Sequence, residues 1–212
     1  MGDRGNECSG YLALGCVNCQ LGKYRLAKKE FDKALSISIA TGKRGVEAGA
    51  LAGLATVLAF INNNQKAKEL YQKALTISKE CGDKPLEGQI CLLLGNLCRS
   101  LGECDEAEDY LERARFMSSR IGDIITEFRS LVSITLLKVS QSVVVEAKEY
   151  LLRCIGQYEQ LKSFLKGNQE FEISLLEAHG SFLYQFLVDL LCNADKFEDA
   201  LYVAELERAR VL

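Results

Sequence analysis

The fold class this sequence predicts is an all-α solenoid of repeated helix pairs, and three observations predict it. Alanine recurs at Ala27, Ala67, Ala107 and Ala147, 40 residues apart each time. Glycine recurs at the same interval, at Gly42, Gly82 and Gly122. The 212 residues hold a single proline, Pro85, so little interrupts long helices, because proline breaks helix interiors and central strands alike. Self-similarity at a fixed period of this size marks a stacked repeat in which each unit buries its apolar face on the next.

The alanines lie in the second helix of each unit: LAKKEFDKALSIS (26–38), KAKELYQKALTIS (66–78), EAEDYLERARFMS (106–118) and EAKEYLLRCIGQY (146–158). Four residues after each alanine stands a large group, Phe31, Tyr71, Leu111 or Leu151. Three residues further on stands a small one, Ala34, Ala74, Ala114 or Cys154. Offsets of four and seven share one helix face, so each helix carries a small-large-small stripe that a neighbouring helix approaches closely.

The first helix of each unit is marked twelve residues upstream of the alanine. Gly15, Ala55, Gly95 and Thr135 are small and follow Leu14, Leu54, Leu94 and Ile134. Gly22, Asn62 to Asn64 and Gly102 supply the turns inside the pairs. The glycines at 42, 82 and 122 supply the breaks between pairs, where glycine takes the left-handed conformation after a helix. Asp83 and Asp123 follow as N-caps, and Pro85 falls in a first turn, where proline is tolerated.

Composition narrows the function. Hydrophobic residues make up 48% and charged residues 26%, as in a globular protein. With 26 basic and 29 acidic residues the net charge is −3, which gives no general attraction for nucleic acid or an anionic membrane. Apolar runs such as 90–94 are too short to span a bilayer. The first ten residues lack a secretory pattern, so no membrane insertion and a cytoplasmic location are expected. Nine cysteines, an odd number, argue against a disulfide framework. Cys16 and Cys19 form a lone C-x-x-C, and His179 is the only histidine, too few ligands at the wrong spacing for a structural zinc site. No glycine-rich phosphate loop and no nucleophile with a base appear. No metal, no cofactor and no enzymatic activity are expected.

The pattern Leu94-Gly95, Ala107, Leu111, Ala114 and its copies resemble the tetratricopeptide repeat, whose usual period is about 34 residues. Ile39, Lys79 and Ser119 stand where that repeat has its terminating proline, and without the stop the second helix runs on. The long form resembles the repeats of kinesin light chains and of the Leu-Gly-Asn spindle-orientation family, LLLGNLCRSLGECDEAEDYLERA (92–114) being the nearest unit. The resemblance implies a right-handed superhelical solenoid of about five antiparallel helix pairs: four units over 8–165 and a fifth, displaced one over 166–212, in one continuous stack. Ala200 lies 53 residues after Ala147, so an insertion lengthens the helix around Tyr150 to Leu165 and the next around Gln169 to Cys192. The closing FEDALYVAELERARVL (197–212) resembles the unit that precedes the caspase-like CHAT domain in large multi-repeat proteins. Leu201, Val203, Ala204 and Leu212 are then expected to leave an uncapped apolar end open to self-association.

The resemblance also implies where a partner binds. First helices of such arrays line a concave wall, and the inward register gives Ser9, Leu12, Cys16 and Cys19 in the first unit, then Gly49, Ala52, Thr56 and Ala59. It continues with Gln89, Leu92, Asn96 and Arg99, and then with Arg129, Val132, Leu136 and Val139. Asn96 occupies the asparagine of the Leu-Gly-Asn signature, whose amide both donates to and accepts from a ligand's main chain. With Gln89, Arg99 and Arg129 it is expected to grip an acidic segment, since guanidinium matches carboxylate, while Leu92, Val132 and Leu136 add apolar contact. The basic clamp of chaperone-tail binders is absent, because its places hold Leu12 and Cys16. The expected function is a scaffold that holds a protein or peptide; the alternative is a regulatory segment of a larger signalling or CHAT-type protein. Cys91, Cys98 and Cys154 read as core filler, and the acidic run Glu103 to Asp109 as a solvated helix start.

Overall fold

The computed structural model describes residues 3–165, 184–189, 191–193 and 196–209. Eight helices follow one another without a gap longer than three residues: α1 Asp3–Gln20, α2 Tyr24–Thr41, α3 Arg44–Phe60, α4 Asn64–Glu80, α5 Lys84–Ser100, α6 Cys104–Ile121, α7 Ile124–Ser140 and α8 Val144–Leu165. Residues 184–189 and 191–193 are helical, and α9 runs Phe197–Ala209. Among the described residues there is no strand. The all-α array of antiparallel helix pairs is therefore the fold, and α8, at 22 residues against 17 or 18 for α2 to α7, carries the expected lengthening. The expected helix start at 169, and His179 with it, lies outside the described residues.

Every turn is made the same way, which explains why the period is so regular. Gly42, Gly82 and Gly122 between pairs have φ of 69°, 69° and 76°. Inside the pairs Gly22, Asn62, Gly102 and Ser142 have φ of 69°, 61°, 76° and 61°. A left-handed residue thus recurs every twenty positions. In each case the following amide donates back to the carbonyl five residues earlier, as Asp83 N does to Ser78 O at 3.0 Å and Glu103 N to Cys98 O at 3.0 Å. That bond satisfies carbonyls the helix end would otherwise leave open. The Asp83 carboxylate accepts from Leu86 N at 3.1 Å and that of Asp123 from Thr126 N at 3.0 Å, so both act as the expected N-caps.

The anchor stripes form the core. Ala27, Phe31 and Ala34, and their counterparts in α4, α6 and α8, are all buried. The small residues opposite them are small for a measurable reason. A Cβ built on Gly15 would stand 2.4 Å from Phe31 Cε1, and one on Gly95 would stand 2.6 Å from Leu111 Cγ. Gly53, which the twelve-residue rule does not single out, meets Phe31 at 2.4 Å as well, so one ring is held between two glycines. Cys91, Cys98 and Cys154 are buried in this packing, as expected of core filler.

The chain divides into two compact units, Met1–Thr126 and Glu127–Leu212. In the first, α1 packs on α2, α3 on α4 and α5 on α6, and each pair meets the next through α2 with α3 and α4 with α5. In the second, Phe128, Leu131, Leu151, Cys154, Tyr158, Leu187, Leu191 and Ala200 form one core. Lys138, nearly buried there, is met by Glu146 at 2.8 Å.

Candidate functional site

One asymmetry in the first unit defines an inner wall. The first helices of successive pairs touch one another, α1 with α3 and α3 with α5, whereas among the described residues α2, α4 and α6 make no such contact. Helices that touch lie on the tighter radius, so α1, α3 and α5 form the concave side of this unit. Small residues bring them together: a Cβ on Gly49 would lie 3.0 Å from Leu12 Cδ2, so Leu12 of α1 lies across α3.

On this wall Cys16 is exposed, while Leu12, Cys19, Gly49, Thr56 and Ala59 are half-buried. Cys16 is exposed as a residue, yet neighbouring protein atoms partly desolvate its thiol and that of Cys19 and push both up from their ordinary range, and for Cys19 the neighbouring Cys16 adds to the shift. Thr56 Oγ1 donates to Ala52 O at 3.0 Å or to the hydroxyl of buried Tyr71 at 2.8 Å, which ties the wall to the anchor of α4. The floor here is small and apolar.

At α5 the wall becomes polar. Asn96 and Arg99 are both half-buried and lie three residues apart, one turn along the same face. Arg99 Nε is closed off from solvent without a hydrogen-bond partner among the described residues. Gln89 is exposed at the start of the same face. Leu92, by contrast, is 2% exposed and belongs to the packing between helices, so it offers a ligand almost no surface. On α7, in the second unit, Arg129 is exposed and Val132 and Leu136 are half-buried, Val132 packing on that unit's core.

Two charged groupings were not anticipated as such. The acidic start of α6 is drawn to α4: Lys68 Nζ lies 2.7 Å from Glu103 and 2.8 Å from Glu106. Those two hydrogen bonds hold the Lys68 ammonium well above the usual lysine range. The Cys98 thiol beside them, 3.9 Å from Glu106, is pushed up to about 12 by burial, and Lys68 already supplies the positive charge this cluster needs. The second grouping is Glu87, which is 1% exposed and is held by Lys84 at 2.9 Å and by Arg113. A signal for it was present in the sequence, since glutamate stands at Glu7, Glu47, Glu87 and Glu127, again 40 apart.

At the C-terminal end Phe197, Leu201 and Tyr202 of α9 are exposed, at 63%, 63% and 65%. Val203 and Ala204 are half-buried, and Val203 packs on the core of the second unit. Leu212 lies outside the described residues. Leu152, Leu187, Leu191 and Tyr202 help line an apolar pocket of about 330 Å³ in this unit. No described helix is long and apolar enough to cross a membrane.

Comparison with known proteins agrees with this fold. The profile of the tetratricopeptide repeat matches residues 6–80 and 47–117, together more than half of the chain. No curated protein matches. Among solved structures, BtubC (BKLC) from P. vanneervenii is 20% identical with a TM-score of 0.81, over 98% of this chain and 81% of its own. A Rap protein complexed with competence and sporulation factor is 15% identical with a TM-score of 0.74, over 97% of this chain and 63% of its own, so this chain spans less than two thirds of that one. A Podosopora anserina putative kinesin light chain with nearly identical TPR-like repeats is 15% identical with a TM-score of 0.70, over 99% and 96%. At these identities the likeness is one of fold.

Proposed function

The chain belongs to the tetratricopeptide repeat family, and from that premise we propose that it is an adaptor that holds a peptide or helix of a partner protein against the α1, α3 and α5 wall. The observation that carries the reading is the pairing of contact along that wall with its change of chemistry. Small and apolar side chains around Leu12, Gly49 and Ala59 give way to Asn96 and Arg99 one turn apart on α5. The Asn96 amide offers a donor and an acceptor to a ligand backbone. Arg99, with a closed-off Nε that lacks a partner among the described residues, pairs with a carboxylate of the segment. Gln89 is proposed as a rim contact, and Arg129, Val132 and Leu136 as the contacts α7 makes from its own unit. The Rap relative, solved in complex with competence and sporulation factor, supports ligand binding by this fold. We further propose a cytoplasmic setting and no catalytic role.

The test is calorimetric titration of a captured partner segment. Asn96→Ala and Arg99→Ala are each expected to weaken binding by about 1–3 kcal/mol, since each removes a partner from a desolvated polar group. Two folded variants that bind as wild type does overturn the reading. Self-association through α9 is a second, separable proposal, resting on the exposed row Phe197, Leu201 and Tyr202. Sedimentation is expected to show concentration-dependent dimers that Leu201→Glu disperses; wild type that stays monomeric at high concentration contradicts it.

A further inference from the structure

One register of the second helices changes sign along the first unit. At one register position after another α2 carries Arg25, Lys28 and Lys29, α4 carries Gln65, Lys68 and Glu69, and α6 carries Asp105, Glu108 and Asp109. These helices share one scaffold role, so the scaffold does not dictate the sign. In α6 the acids suit the positive end of the helix dipole, with Asp105 and Glu106 in the first turn. In α2 Arg25 stands at that same end, with no acid in the first turn, an arrangement that costs helix stability.

The fold neutralises these cations only in part. Lys28 meets Asp32 only at 3.9 Å, with both side chains more than half exposed. Lys33 leans on Glu30 at 3.0 Å and over the Tyr11 ring at 4.5 Å. Among the described residues no carboxylate pairs with Arg25 or Lys29. Together they line an open cleft of about 600 Å³ between α1 and α2, to which α1 contributes Glu7 and Tyr11. In the third pair the matching place is filled, because Glu87 is buried against Arg113, the counterparts of Glu7 and Lys33. In the first pair Glu7 is exposed and the cleft stands open.

We propose that this cleft is a second docking surface and that it takes an acidic peptide segment. Among the described residues of the cleft four cations face two acids, a local positive field on a chain of net charge −3 that steers such a segment in. Between Arg25 and Ser36 the cleft runs about 16 Å along α2, the length of about five extended residues. Tyr11 and Ile37 give that segment an apolar bed. Glu7 and Tyr11 lie roughly across α1 from Leu12 and Cys16, so the cleft is separate from the inner wall and fills independently of it.

The experiment is fluorescence anisotropy of a labelled hexaglutamate peptide with the full chain, at low and at physiological salt. Wild type is expected to bind, and to bind less tightly as salt screens the contacts. The double variant Lys28→Glu, Lys29→Glu is expected to bind about tenfold or more weakly, since like charge replaces attraction. Its circular dichroism should match wild type, so that the loss reports the cleft and not the fold. Glu7→Gln should bind more tightly, and Lys73→Ala, at an exposed position of α4, should bind as wild type does. The proposal is overturned by a wild type that does not bind or by a charge reversal without effect, which would place the peptide outside this cleft. Tighter binding of a labelled uridine oligonucleotide than of the peptide also overturns it.

Discussion

Glu87 carries a charge where there is almost no water, and its surroundings show how that is sustained. Burial alone would push its carboxyl up, but hydrogen bonds from Lys84 and Arg113 and the charges of both cations outweigh that, and the carboxyl is held below the usual glutamate value of 4.5. A carboxylate whose folded value is depressed adds stability that is present above the unfolded value and lost as pH falls through the folded one. The expected outcome is a melting temperature that declines as pH drops below about 4.5, with a shallower decline in Glu87→Gln, which has no such proton to gain. Parallel melts across that window check it, and identical slopes for the two proteins would assign the decline to other acids. The pair also shows what a sequence conceals. Glutamate at 40-residue intervals is readable, but Arg113 lies 26 positions away on another helix, and the same period leaves Glu7 exposed. The acidic start of α6 read as a solvated face for the same reason, since Lys68 is 35 positions from Glu103.

Among the elements, the turns were the most legible part of the chain, because glycine after an amphipathic run has one dominant use. Gly42, Gly82, Gly102 and Gly122 were readable on that ground, and so was Asn62 as a turn residue. Ser142 was not, because serine has no preference for φ of 61° and only the spacing of 40 from Gly102 marks it. A side chain with a Cβ in that conformation is strained by roughly 1–2 kcal/mol, so Ser142→Gly is expected to raise stability by about 1 kcal/mol in urea unfolding. A fall in stability would mean that the serine supplies something the backbone does not. Close packing was legible where a glycine or alanine stood twelve residues before an anchor. Gly53 escaped that rule because its neighbour, Phe31, belongs to the preceding pair. Leu92 was read as groove lining from register alone, and register does not report how far the neighbouring helices close over a position.

At the scale of the molecule, composition and period together determined the class: one proline, a 40-residue repeat and a wall made by one helix of each pair. The identity of the partner was not legible, because a groove states a chemistry of small, apolar and then basic positions and many segments satisfy it. The central claim is that the α1, α3 and α5 wall is the face that holds the partner, and a pair of photo-crosslinking proteins tests it most directly. One carries the reactive residue at Ala59, half-buried on the wall, and the other at Thr76, exposed on α4. With partner present, the Ala59 protein is expected to capture a single acidic segment whose yield drops on Arg99→Ala, while the Thr76 protein captures none of it. Capture of that segment at Thr76 and not at Ala59 would contradict the account.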